Sequence, residues 1–306
     1  MNNQQSLAQC AAIEHPPVTF DNQLHIPPID YYSTESQIDL FHSPTSHFIK
    51  YVLHIPMKEL PVDLQPYLSL FTNLLFHTAI DYEHVHLSKY AFCELVSRDI
   101  LDYSVSNGQS SSSPIQSSYV SGHYIDTFLI SLQSMSNVDM YRNTIDYFRY
   151  VLFGSQLTDY NVIIEECEKQ LKNLIETLQD GQTIHQAYFN SLLYANQPSQ
   201  YYHRMNIFQQ KSLLEKICKQ PAKHQNDILA KLERIKRFLL KNLSQVHLTV
   251  CGDMKLIKDH WTFVEELMSE CKRKSQIDED KAETKAKPMP APAPATIIGC
   301  AHEESG

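Results

Sequence analysis

Glycine is scarce in this chain, with 7 in 306 residues, and the shortage excludes several kinds of chemistry. Loops that cradle phosphate need backbone that glycine adopts without strain, and there is no P-loop, dinucleotide fingerprint or G-x-S-x-G elbow. The seven cysteines (Cys10, Cys93, Cys167, Cys218, Cys251, Cys271 and Cys300) are odd in number and scattered. None forms a C-x-x-C pair, so neither a disulfide framework nor a cysteine-built zinc site is expected. A reducing, intracellular setting follows as the expectation: cytoplasm or the mitochondrial matrix. Met1–Ser6 lacks the cationic start and apolar core of a secretory signal. No uncharged apolar run approaches the roughly 18–20 residues that span a bilayer. The 15 histidines include no two spaced four apart, so neither His-x-x-Glu-His nor His-Glu-x-x-His is present. His302-Glu303 opens the second pattern, but its last position is Gly306.

Basic surface is also lacking. The formal net charge is -9, which disfavours a protein that tracks a nucleic-acid backbone. The local excess of Lys and Arg at Lys231–Lys241 falls on an amphipathic helical pattern and reads as a solvated face.

What remains is ordinary globular composition, 42% hydrophobic and 20% charged, with length enough for one large or two medium domains. Residues 1–45 are polar and proline-punctuated and read as an extended lead-in or interdomain strap, with Ile38–His42 its best extended piece. Ile49, Tyr51, Leu53 and Ile55 then alternate with Lys50, Val52 and His54, the period of a strand with one buried face. Pro56 and Pro61 stop it. From Leu64 to Phe76, Leu64, Tyr67, Leu68, Phe71, Leu74 and Leu75 recur at helical spacing, with Pro66 tolerated in the first turn. A second helix, capped by Ser88, is predicted over 87–102, with strands over 103–107 and 124–132. The serine-rich stretch 109–114 between them reads as a surface loop.

Helices are predicted over 138–153, 159–179, 183–195, 206–218 and 226–240, then a strand at Val246, Leu248 and Val250 and a helix over 254–271. The order β-α-α-β-β-α-α-α-α-α-β-α points to an α+β fold, with helices on one face of a mostly antiparallel sheet. Residues 46–272 are expected to form that domain and 273–295 a charged and Pro/Ala-rich linker. Residues 296–306 would be the start of a further, truncated domain or a tail.

The strand at 47–55 followed by Leu64-Gln65-Pro66-Tyr67-Leu68-Ser69-Leu70-Phe71-Thr72-Asn73-Leu74-Leu75-Phe76 resembles the start of a domain in pitrilysin/insulinase-type zinc metallopeptidases. The presequence-protease-like subgroup is nearest in flavour. The segments 159–179, 183–195 and Leu248–Asp253 extend the resemblance over about residues 35–270. It implies a LuxS/MPP-like metallopeptidase domain. Such proteins hold four homologous domains, the first of which carries His-x-x-Glu-His on the helix after the first strand. There two histidines bind zinc and the glutamate activates water.

Aligned on Leu74-Leu75-Phe76, that motif falls on Ser69 to Asn73. Its degenerate positions are Ser69, Thr72 and Asn73, none able to act as ligand or carboxylate base. Glu165, Glu166 and Glu168 lie where the family draws its third ligand, and without histidines they are expected to face solvent. The resemblance therefore implies a non-catalytic domain that shapes a chamber for peptides, with no cofactor in this chain and zinc only in a catalytic half elsewhere. That half, in the same polypeptide or a partner chain, is the expected partner, with peptides as further partners and neither nucleic acid nor a membrane span. Two other readings stay open: an assembly subunit of the same fold, and an autonomous α+β binding module.

Three other clusters carry chemistry-bearing side chains. Asp81-Tyr82-Glu83-His84-Val85-His86 is the densest run of candidate ligands, and reads as a polar turn joining two helices more readily than as a zinc site. Cys93 and Cys251 fall in apolar-periodic segments and read as core fillers. Tyr141, Tyr147, Phe148 and Tyr150 have core spacing rather than the look of a base-stacking platform.

Overall fold

The computed structural model describes residues 30–34, 37–43, 46–57, 59–106, 127–193 and 206–286. Its organising element is β3 (Phe48–Pro56), whose residues alternate between full burial and exposure as the sequence period requires. On one side β3 pairs antiparallel with β7 (Thr127–Met135) along its whole length, from Phe48↔Met135 to Pro56↔Thr127. On the other it pairs antiparallel with β9 (His247–Gly252). Three more strands complete the sheet: β1 (Asp30–Thr34), β2 (Ile38–His42) and β6 (Asp102–Ser106). The order is β1-β2-β9-β3-β7-β6, and of these pairs β2–β9 alone is parallel.

Helices cover one face of this sheet. Ile49, Tyr51, Leu53 and Ile55 are fully buried against them, each contributing roughly 1.5–3 kcal/mol by leaving water. Tyr51 stacks on Tyr141 of α3 (Val138–Arg149) with centroids 6.0 Å apart. Phe71 of α1 (Leu68–Leu74) meets Phe128 of β7 at the same separation. Along α7 (Pro221–Lys241), Ile228, Leu232, Ile235 and Leu239 form a buried stripe at helical spacing. Val264, Leu267, Met268 and Cys271 do the same on α9 (Thr262–Ala286). The opposite face carries Lys50, Val52 and His54 of β3, Leu129 and Ser131 of β7, and Thr249 and Cys251 of β9, all half-buried or exposed. The expected α+β architecture is the one observed.

The remaining elements are α2 (Lys89–Asp99), α4 (Tyr160–Thr177), α5 (Gly181–Leu193), α6 (Ile207–Lys219) and α8 (Met254–Asp259). A small second sheet, β5-β4-β8, joins β4 (Ala79–Tyr82) to β5 (Val85–Leu87) and β8 (Ser155–Gln156). Between α3 and β8 the chain makes a π-helical turn, Tyr150–Gly154. Gly154 ends it because a Cβ there would lie 2.8 Å from the Cβ of Tyr82.

Several expectations are corrected. Ile38–His42 is extended, as expected, but it belongs to the sheet: Ile38 and Leu40 are buried and β2 is zipped to β9 from Ile38↔Leu248 to His42↔Gly252. Asp81–His86 is no interhelical turn but the tip of a hairpin, with Glu83 in the left-handed region at φ 52°. The single helix expected over 138–153 passes into the π turn. Helix α7 begins earlier than expected, with Pro221 in its first turn, where the missing N–H costs nothing. Helix α9 does not stop at Cys271 but runs through Ala286, because the charged stretch after it is rich in Lys, Glu and Ala, all good helix formers. Trp261 is half-buried, and its indole N–H donates to Glu265 at 2.7 Å. The serine-rich loop 109–114 and residues 287–306 lie outside the described residues.

Candidate functional site

Helix α1 sits where the resemblance expects a zinc motif, and its composition decides what it can do. Leu68, Leu70, Phe71 and Leu74 are buried, so one whole face is spent on packing. Ser69 is half-exposed and its carbonyl accepts the Thr72 hydroxyl at 2.7 Å. Thr72 is buried and Asn73 exposed. The three motif positions are thus brought onto the helix that follows β3, and they hold no imidazole or carboxylate.

Two ionisable groups do gather at the end of this helix. His77 follows it, half-buried, with its Nδ1 unpartnered. Burial pushes the imidazole below its ordinary value, and the Glu166 carboxylate pulls in the other direction. Glu166 on α4 is the correction to the expected solvent-facing trio. It is only 7% exposed and accepts from the Gln170 amide at 3.1 Å. Glu165 and Glu168 are exposed, and Glu165 pairs with Lys89 at 3.0 Å. The signal was in the sequence, since Ile163, Glu166, Cys167 and Gln170 share one face of α4. His77 could have been found the same way, four residues beyond Asn73.

One imidazole and one buried carboxylate do not make a zinc site, which needs three protein ligands beside a reactive water. Among the described residues no group of three or more His, Cys, Asp or Glu is arranged to hold a metal ion. The described residues beside α1 do not fit zinc. Cys93, nearby, donates its thiol to the Phe76 carbonyl at 3.4 Å, and burial pushes its pKa up. Cys251 is likewise half-buried with a raised pKa, so neither is an activated nucleophile. At the hairpin, His86 pairs with Asp81 across the strands at 2.8 Å, while His84 sits in the turn and does not share its strand.

A cleft of about 710 Å³ opens between the hairpin tip, the end of α3 and α9. Glu270 lines it, accepting from the Tyr82 hydroxyl at 2.5 Å and from Arg149 Nε at 3.2 Å. Arg149 also engages Asp146 at 2.5 Å and Glu266 at 3.5 Å, and Arg273 approaches Glu270 at 3.6 Å. Burial and the Glu270 carboxylate raise the Tyr82 phenol above its ordinary value, so it stays protonated. Most of these charges are answered within the fold. Tyr141, Tyr147 and Phe148 are buried, as core spacing predicted, while Tyr150 is half-buried and lines the cleft; Tyr147 donates to buried Asp99 at 2.8 Å.

No protein-family model and no curated protein matches the sequence. Solved structures match by shape. The peptidase M16 inactive domain from Pseudomonas fluorescens aligns with a TM-score of 0.50 over 80% of this chain and 50% of that one, at 14% identity. A conserved protein from Enterococcus faecalis V583 aligns at 0.49 over 73% and 49%, with 15% identity. The first half of the periplasmic protease PqqL from Escherichia coli aligns at 0.46 over 79% and 46%, with 11% identity. The chain spans about half the length of the structures it matches. At these identities the shared property is the fold: this chain has the α+β fold of the M16 inactive domain, and the resemblance read from its residues holds at that level. Among the described residues no helix is long and apolar enough to cross a membrane.

Proposed function

We propose that this chain is a non-catalytic unit of a pitrilysin/insulinase-like metalloendopeptidase, with Ser69, Thr72 and Asn73 standing at the positions of a lost zinc motif. Its open sheet face forms part of the wall of a chamber that holds peptides, and a second unit bearing His-x-x-Glu-His performs the chemistry. The observation that carries the reading is the composition of α1. A helix in the motif's place, after the central strand, is filled with packing residues and leaves one histidine and one buried carboxylate beside it. The fold of the M16 inactive domain and the half-length match support it.

The test begins with the reading frames adjoining this one. Their products, with His-x-x-Glu-His, are co-purified with this chain and cleavage of a quenched peptide library is followed. Chelator-sensitive cleavage that rises when this chain joins the catalytic unit is expected. A catalytic unit whose rate and substrate range are unchanged by this chain would remove the wall role, and the absence of any such frame would favour a stand-alone module.

A further inference from the structure

The charge of this protein is unevenly placed. Residues 207–241 hold 9 Lys and Arg against 3 Asp and Glu, while the rest of the chain holds 17 against 32. Most of the basic run expected at Lys231–Lys241 is answered locally. Lys231 pairs with Asp227 at 2.9 Å, Arg234 with Asp63 at 2.6 Å and Arg237 with Glu233 at 3.1 Å. Lys236 turns inward and donates to the Ser155 carbonyl at 2.6 Å.

The corner between α6 and α7 is different. Lys216 and Lys219 close α6, and Lys223 lies in the first turn of α7, with Gln220 between the helices. The backbone holds the corner tight: Gln220 N–H donates to Ile217 and Lys223 N–H to Gln220. The carboxylate answering this corner is Glu215, 3.8 Å from Lys219 and already shared with Lys211 at 3.6 Å. Among the described residues neither Lys216 nor Lys223 has an ion-pair partner.

The helix dipole accounts for Lys216 and Lys219, since cations are favoured in a helix's last turn. It does not account for Lys223. A cation in a first turn opposes the dipole, and Lys216 and Lys219 stand only seven and four positions before it in the chain. The carboxylate one turn along its own helix, Asp227, is held by Lys231 at 2.9 Å, and the Lys223 side chain is exposed.

We propose that the Lys216–Lys219–Lys223 corner is a docking surface for a short acidic patch on a partner protein. Charge complementarity selects the partner. A local cation surplus on a protein of net charge -9 attracts a compact anionic surface at contact range. A long polyanion would have to run past the acidic remainder of the chain, so the surface suits an acidic protein segment and not a nucleic acid.

The experiment uses the full chain and a fluorescein-labelled polyglutamate peptide, followed by anisotropy, with single-stranded DNA and polylysine of matched length as comparators. Polyglutamate should bind at about 20 mM salt and weaken about tenfold or more by about 150 mM, as contact between exposed charges must. Lys216→Glu/Lys219→Glu/Lys223→Glu, all at the surface, should abolish binding while circular dichroism stays unchanged. Lys223→Gln alone should weaken binding and slightly raise Tm, because it also relieves the dipole conflict. No binding by the wild-type chain at low salt, equal binding by the triple variant, or DNA binding as tight as polyglutamate would each overturn the proposal.

Discussion

Helix α1 and the cleft beside α9 arrange chemistry in opposite ways. On α1 the side chains turned to the core are Leu68, Leu70, Phe71 and Leu74, buried and without ionisable atoms. Where charge does collect, around Glu270, the groups answer one another. A reactive site requires several groups left unsatisfied for the substrate; the apolar region leaves the imidazole of His77 beside it, and the polar region has spent most of its own. The two regions therefore do the same work by different forces. Burial holds α1 under the sheet, while a Tyr82–Glu270 hydrogen bond ties α9 to the hairpin and Arg149 ion pairs tie it to α3.

That contrast can be broken by mutation. The largest loss is expected at Phe71→Ala, about 3–5 kcal/mol from lost transfer and cavity terms, measured by urea unfolding and unchanged by salt. Arg149→Ala should cost about 2–3 kcal/mol, because it leaves Asp146 and Glu270 facing each other across a half-buried site. Its loss should shrink in concentrated salt, whereas that of Phe71→Ala should not. Gly154→Ala should cost about 1–2 kcal/mol by pushing the π turn off β4, where Tyr82 and Ile80 stand 2.8 and 2.9 Å from the added carbon.

A smaller effect sharpens the comparison from a third region, the open sheet face. His54 accepts or donates to Thr249 at 3.2 Å, and burial, with His247 beside it, lowers its pKa to about 4. The unfolded chain takes up that proton at a higher pH than the folded one does. This contribution is therefore whole above about pH 6.5 and is lost as pH falls toward the folded value. Discounted for screening, the loss is on the order of 1–2 kcal/mol, and His54→Gln should flatten the fall in stability between those limits.

How much of this was legible depends on how local each feature is. Strand β3, α1 and α4 announce themselves because their apolar residues recur at the period of the element they form, and the layered fold follows from their order. The hairpin was missed because Glu83 takes a left-handed turn without glycine or asparagine to signal it, and Asp81, Glu83 and His84 mask the alternation of Ile80 and Tyr82. Tyr82 and Glu270 are 188 positions apart, and Arg149 and Glu270 are 121, so no spacing rule joins them. Glu166 was misjudged for a different reason: a glutamate on a charged-looking helix was assigned to solvent, though its neighbours at helical spacing placed it inside.

Zinc content is the most direct check on α1. The full chain is purified from zinc-supplemented medium, dialysed, and assayed by elemental analysis alongside cleavage of a quenched peptide library. Substoichiometric zinc and no chelator-sensitive cleavage are predicted. Zinc retained in equal number with the chain, together with cleavage that a chelator stops, would contradict the account.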